Sequence, residues 1–213
     1  MKNLFISIFI AIILCISGCS TVQPHIENIN DYEIFPITTN WRFFFRWDYI
    51  LGNYRLREGS NNRLEGSGIT VFTSEWAFLE GNFEICKVEI IRREVQGLFI
   101  GRLELFRRHT RYVKFIYKNG RRVEYQIDVD PHIYLTIQNN NDIIEIKNYY
   151  FKNMEFPASP IGFDIFVNNE RYGILTFSPP TFHLLKGNEL NSDMALFILA
   201  AYVSYIWRTS GSN

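Results

Sequence analysis

Three cysteines, four histidines and one run of cations are the residues best suited to chemistry in this chain, and their spacing limits what each can do. His25, His109, His132 and His183 are scattered, without the short intervals that bring two ligands to one zinc ion. Asp128-Val129-Asp130-Pro131-His132 sets two carboxylates and an imidazole within five residues, and on a strand Asp128, Asp130 and His132 would share a face. Pro131 interrupts such a strand and no second cluster completes a ligand set, so the segment reads as a solvated turn and no metal or cofactor is expected. Gly66-Ser67-Gly68 leads into a strand rather than joining strand to helix, so it is no nucleophile elbow. Arg107, Arg108, Arg111, Lys114, Lys118, Arg121 and Arg122 make residues 107–122 locally basic, with Glu104 and Glu124 close by in sequence. Such a patch can meet lipid phosphates or glycan anions, or can simply solvate the outer face of a hairpin. No catalytic set converges, and the expected role is non-enzymatic.

The cysteines are sorted by the amino end. One lysine, Lys2, precedes the apolar run Leu4 to Ile16, and Ser17-Gly18-Cys19-Ser20 follows. A short basic region, an apolar stretch of about a dozen residues and small residues after it make a secretory signal. The run is too short to span a bilayer, which takes about 20 residues. Ile16-Ser17-Gly18-Cys19 resembles the lipobox of bacterial lipoproteins. The resemblance implies that residues 1–18 are removed and that Cys19 becomes the diacylated first residue of the mature chain. Two or three acyl chains of the palmitate type hold a protein stably on its membrane. Ser20, where the enterobacterial sorting pattern uses aspartate for inner-membrane retention, implies the outer membrane of an organism that has one. Cys15 leaves with the signal and Cys19 carries lipid, so only Cys86 remains and no intramolecular disulfide can form. Cys86 lies in Phe83–Ile90, in step with Glu84 and Val88, and reads as a small, partly buried strand residue.

Removal of residues 1–18 leaves 195 residues, the size of a single domain, with 21 Lys and Arg (Lys2 is lost from 22) against 22 Asp and Glu. That balance argues against general nucleic-acid binding, which needs a basic footprint. An aromatic content of 16% suits strands with large inward side chains.

The elements that must position these residues are mostly strands. Residues 19–33 form a polar tether, and residues 34–213 a single β-rich domain. Trp41 to Tyr49 alternates over nine residues, with Trp41, Phe43, Phe45, Trp47 and Tyr49 on one face, and predicts one half-buried strand. Asn119-Gly120 predicts a type I′ hairpin turn between Tyr112 and Ile127. Further hairpins are predicted over 133–146, through Asn139-Asn140-Asn141-Asp142, and over 163–177, through Asn168-Asn169. Segments near 53–57, 69–80, 83–92 and 98–107 bring the total to about a dozen antiparallel strands. The Gly-, Ser- and Asn-rich 58–68 and the proline-containing 153–161 read as loops. A helix over about 193–207 ends the chain, with its cap in Asn191-Ser192-Asp193. It is apolar on nearly every face and, at about 21 Å for fourteen residues, too short for a simple membrane span, so it reads as threaded through protein.

Consecutive hairpins ending in one all-apolar helix resemble the tubby C-terminal-like superfamily, which includes LURP-one-related and phospholipid-scramblase-type domains. The resemblance rests mainly on 111–207: Phe163–Val167, Arg171-Tyr172-Gly173-Ile174-Leu175, the strand near Thr181–Leu185 and the helix opened by Asp193. It implies a β-barrel wrapped around a buried helix. The alternative folds are a β-sandwich and a lipocalin-like barrel, the latter suggested by Asn40-Trp41-Arg42; a lipocalin keeps its helix outside and its lumen open. The first architecture leaves a binding or interaction module whose partner is lipid, an envelope glycan or another envelope protein. The second permits a carrier, or an enzyme, acting on a hydrophobic ligand in a cavity.

Overall fold

The computed structural model describes residues 26–42, 46–66, 68–95, 99–100, 103–104, 108–128, 132–150 and 160–210. The strands are β1 (Tyr32–Arg42), β2 (Arg46–Leu51), β3 (Tyr54–Gly66), β4 (Ile69–Glu80), β5 (Phe83–Val95), β6 (Phe99–Ile100), β7 (Leu103–Glu104), β8 (Arg108–Tyr117), β9 (Arg122–Ile127), β10 (Ile133–Asn139), β11 (Asp142–Tyr149), β12 (Gly162–Val167), β13 (Glu170–Phe177) and β14 (Pro180–Leu185). One helix, α1 (Ser192–Ser210), follows. Twelve strands close an antiparallel barrel in the order β1-β14-β13-β12-β11-β10-β9-β8-β5-β4-β3-β2. The chain therefore runs up and down through adjacent strands, with β6 and β7 forming a separate small hairpin between β5 and β8. Closure depends on β1 and β14, paired from Tyr32↔Leu185 to Pro36↔Thr181. It removes the unpaired edges that an open sheet would expose.

The barrel is wound around α1. Met194 to Tyr205 are all buried, and they join inward residues of the wall such as Leu56, Phe78, Val88, Phe115, Ile146, Phe163 and Phe182 in one apolar cluster. A helix apolar all round has no face for water, and a barrel of this girth needs a filling; each solves the other's problem. The helix start is fixed by Asn191, whose side-chain oxygen accepts the Met194 N–H at 2.9 Å. Aromatic rings lock helix to wall: Phe197 meets Phe115 edge-on at 5.4 Å, and Tyr205 stacks on Phe177 at 4.2 Å. Inside this core Tyr134 and Ser204 share a hydroxyl hydrogen bond of 2.9 Å, and Ser204 also donates to the Ala201 carbonyl.

Several elements differ from their sequence reading. Trp41 to Tyr49 is no through-going strand; β1 ends at Arg42, β2 begins at Arg46, and Trp41 pairs with Trp47. Residues six apart share a face whether a strand continues or turns back, so alternation cannot separate the two cases. Most of the expected loop 58–68 is strand, because β3 pairs with β4 out to Gly66↔Ile69 across a bulge between Glu58 and Asn61. Gly59 permits the approach there, since a Cβ would lie 2.9 Å from the Glu75 carbonyl oxygen. Of the segment 98–107, the described residues form the two-residue strands β6 and β7, which pair with each other outside the barrel. At 118–120, Gly120 alone has positive φ, 84°, and donates its N–H to Tyr117. The turn is therefore a three-residue loop with a left-handed glycine rather than type I′. Both central residues of Asn168-Asn169 do take positive φ, 52° and 68°, as a type I′ turn requires. Packing also begins earlier than residue 34: Ile26 is buried with Tyr32 and Ile174 in a second cluster, against which Tyr149 and Leu185 pack.

Candidate functional site

The lumen is taken by α1, so the surfaces open to chemistry are the outer wall and the two rims. The inward row of the wall is apolar around α1 and becomes charged towards the end of β5 and the start of β8, where Arg92 pairs with Glu94 and Arg111 with Asp128, while the outward row carries ion pairs of its own. On β4, β5 and β8, Glu75, Lys87, Glu89 and Lys114 form a ladder: Lys87 to Glu75 at 3.1 Å, Lys87 to Glu89 at 3.5 Å and Lys114 to Glu89 at 3.1 Å. Ser60 donates to Glu75 at 2.9 Å, and that hydrogen bond, with Lys87, holds the Glu75 carboxyl below its ordinary range. Asp48, buried on β2, faces Arg55 and Arg57, each at 3.8 Å. Asp164 on β12 meets Arg171 of β13 at 2.6 Å, yet burial outweighs the guanidinium and raises its pKa. An outer wall of this kind is the reverse of the apolar band a lipid-embedded barrel presents.

At the rim where α1 begins, a cleft of about 770 Å³ lies between the β12–β13 turn and the end of β14. Arg171, Lys186, Glu170, Tyr172 and Asn188 are among its lining residues. Three of its polar groups are already engaged: Arg171 by Asp164, Lys186 by the Asn30 carbonyl at 2.6 Å, and the Tyr172 hydroxyl by the Glu189 carbonyl at 2.5 Å. Burial drives the Tyr172 hydroxyl up to about 12, so it is a neutral donor at physiological pH.

The basic residues of 107–122 are dispersed by the fold. Arg107 lies outside the described residues, and Arg108 opens β8. Arg111 points to the inner side of β8, largely buried in an ion pair with Asp128, whereas Lys114 is on the opposite face beside Glu89. Lys118, Arg121 and Arg122 are exposed at the far end of the strand, with the Arg121 guanidinium 5.5 Å from the centre of the Tyr117 ring. Asp128, with φ of 58°, ends β9; Asp130 lies outside the described residues and His132 is exposed. Among the described residues no group of three or more His, Cys, Asp or Glu is placed to hold a metal. Cys19 lies outside the described residues, whereas Cys86 is buried on the inner face of β5 and its thiol is pushed by desolvation up to about 12.

The opposite rim carries what the sequence reading passed over. Trp41 is 62% and Trp47 41% exposed at the end of the β1–β2 hairpin, their ring centres 6.5 Å apart. In register, Arg42 faces Arg46 one step further out. The signal was present as a palindrome, Trp41-Arg42-Phe43-Phe44-Phe45-Arg46-Trp47, because a hairpin sets mirror-related residues opposite each other. Compared with known proteins, the chain matches no family model, no curated sequence and no solved structure.

Proposed function

We propose that the chain is a lipid-anchored envelope protein whose barrel is a non-enzymatic binding module, working through its outer surface rather than its lumen. The carrying observation is the occupied interior: Ala195, Leu196, Phe197, Ile198, Leu199 and Ala200 are buried within the strands, where a carrier or a lipid-modifying enzyme would need space for its ligand. The lipobox-like Ile16–Cys19 supports the anchor. The tubby-type resemblance draws on the same arrangement of strands around an apolar helix, and by itself it assigns no activity. Native mass spectrometry of protein purified from its own host tests the reading. The expected mass is that of the acylated chain alone; a stoichiometric lipid that survives inside the barrel would overturn it. The anchor has a separate test. Cys19→Ala should abolish incorporation of clickable palmitate and leave the precursor unprocessed, and a variant still processed and membrane-bound would refute lipidation at Cys19.

A further inference from the structure

The joins between strands of the barrel are unequal. The shortest of the others, β2 with β3, runs from Asp48↔Arg57 to Leu51↔Tyr54, whereas β9 and β10 meet at the single pair Leu135↔Ile127. Beyond that pair, towards the rim where Asn139 holds Asp193 of α1, the two strands part. They leave a seam with residues 122–126 on one lip and 136–139 on the other. Building on the reading of the barrel as a binding module that works from its wall, we propose that this seam docks an extended polypeptide, which adds to β9 as an antiparallel strand.

Strand phase sets which backbone groups face the seam. The Tyr117 amide donates to the Arg121 carbonyl at 2.9 Å, so β8 bonds the alternate residues Val123 and Tyr125. The amides and carbonyls of Arg122 and Glu124 are thereby turned to the other side, where no strand among the described residues pairs with them. Continuation of the Leu135↔Ile127 register would set Glu124 opposite Gln138. The Gln138 carbonyl instead accepts the Tyr125 hydroxyl at 2.9 Å, a side chain standing in for the Glu124 amide. A row of amides and carbonyls at strand spacing matches the backbone of another extended chain.

The side chains around the seam narrow the class of partner. Val113 and Phe115 of β8 are fully covered, but Val123 and Tyr125, opposite them on the same inner row, are only half-buried. They lack the cover that a neighbouring strand gives, and the Tyr125 ring, 6.1 Å from that of Phe115, forms an apolar floor. Every second side chain of an added strand would extend that floor and should be β-branched and apolar. On the outer face Arg122 and Glu124 are exposed, two residues apart. An antiparallel partner should therefore set a base opposite Glu124 and, two residues later, an acid opposite Arg122.

The test is amide hydrogen exchange read residue by residue on the mature chain carrying Cys19→Ala. The probe is the peptide Thr-Val-Lys-Val-Glu-Val-Thr, capped at both ends. In the free chain the Glu124 amide should exchange about tenfold or more faster, relative to its intrinsic rate, than those of Val123 and Tyr125. Saturating peptide should slow Glu124 by about tenfold or more. Methylation of the lysine and glutamate backbone nitrogens, which face β9 in this register, should abolish binding, and methylation of the central valine nitrogen should preserve it. Arg122→Glu with Glu124→Lys should bind this peptide several-fold more weakly and regain affinity for the version with lysine and glutamate exchanged. Equal protection of Glu124, Val123 and Tyr125 in the free chain would overturn the proposal. So would absence of peptide binding, or binding indifferent to which nitrogens are methylated. Protection of Glu124 that grows with protein concentration alone would assign the edge to a second copy and overturn it equally. Native mass spectrometry tests the filled lumen separately, so failure of the peptide refutes this edge alone, and a lipid found in the barrel refutes the reading on which it rests.

Discussion

Phe197→Ala is the perturbation that asks most directly whether α1 is the core of this barrel. Phe197 is 1% exposed, and its ring meets the fully buried Phe115 of β8 edge-on at 5.4 Å. Truncation removes that contact and leaves a hole that the wall cannot collapse to fill, because every strand of a closed barrel is held by two neighbours. A buried phenylalanine cut to alanine costs about 3–5 kcal/mol from lost transfer energy plus the cavity. Domains of this size lose about 2–4 °C of melting temperature per kcal/mol, so the expected fall is about 6–20 °C. The assay is thermal unfolding by circular dichroism of the mature Cys19→Ala chain, with a urea midpoint as a second measure. Phe83→Ala is the control: its ring is 78% exposed, and its removal should change stability by no more than about 0.5 kcal/mol. If Phe197→Ala melted within about 2 °C of its parent, the helix would not be carrying the interior and the reading of a filled lumen would fail.

Gly162→Ala on β12 should cost about 1–3 kcal/mol, because an added Cβ would sit 2.1 Å from the Leu175 carbonyl oxygen and force two paired strands apart. Gly66→Ala, into open space, should be near neutral in the same urea titration, and equal costs for the two would contradict the close approach. Cys86, 1% exposed with its thiol raised to about 12, should resist iodoacetamide in the folded protein and react on unfolding in urea. Alkylation of native protein at the unfolded rate, followed by mass spectrometry, would refute that burial. His183 is buried on the outer face of β14, in register with Ile34 and Ile174, and desolvation lowers its pKa from the ordinary 6.5. The unfolded chain then binds the proton first, so His183 should erode stability as pH falls below about 6.5 towards its lower folded value. His183→Gln should flatten the melting temperature across that window, and an unchanged pH slope would remove the assignment.

Local physics made much of this protein legible from its sequence. Period-two alternation marked β8 to β13, because the inward row must be apolar wherever a wall covers a core. The apolar run Met194–Trp207 marked a helix with no face for water, and hence something that surrounds it. Asn168-Asn169 marked its own turn, since both residues accept positive φ. Tertiary structure decided the rest. Whether Trp41 to Tyr49 continued or folded back depended on pairing between β1 and β2, to which alternation is blind. Gly59-Ser60-Asn61-Asn62 became strand because β4 supplied hydrogen-bond partners that outweighed weak local propensity. The basic run 107–122 was one patch in sequence and several in space, because β8 sends Arg111 and Lys114 to opposite faces. Closure of β1 on β14, and the Tyr134–Ser204 bond across 70 residues, exist only once the wall is complete around α1. A sequence writes down which faces avoid water; only the assembled barrel decides which of those faces find a partner inside and which, like the tryptophans of the rim, are left exposed.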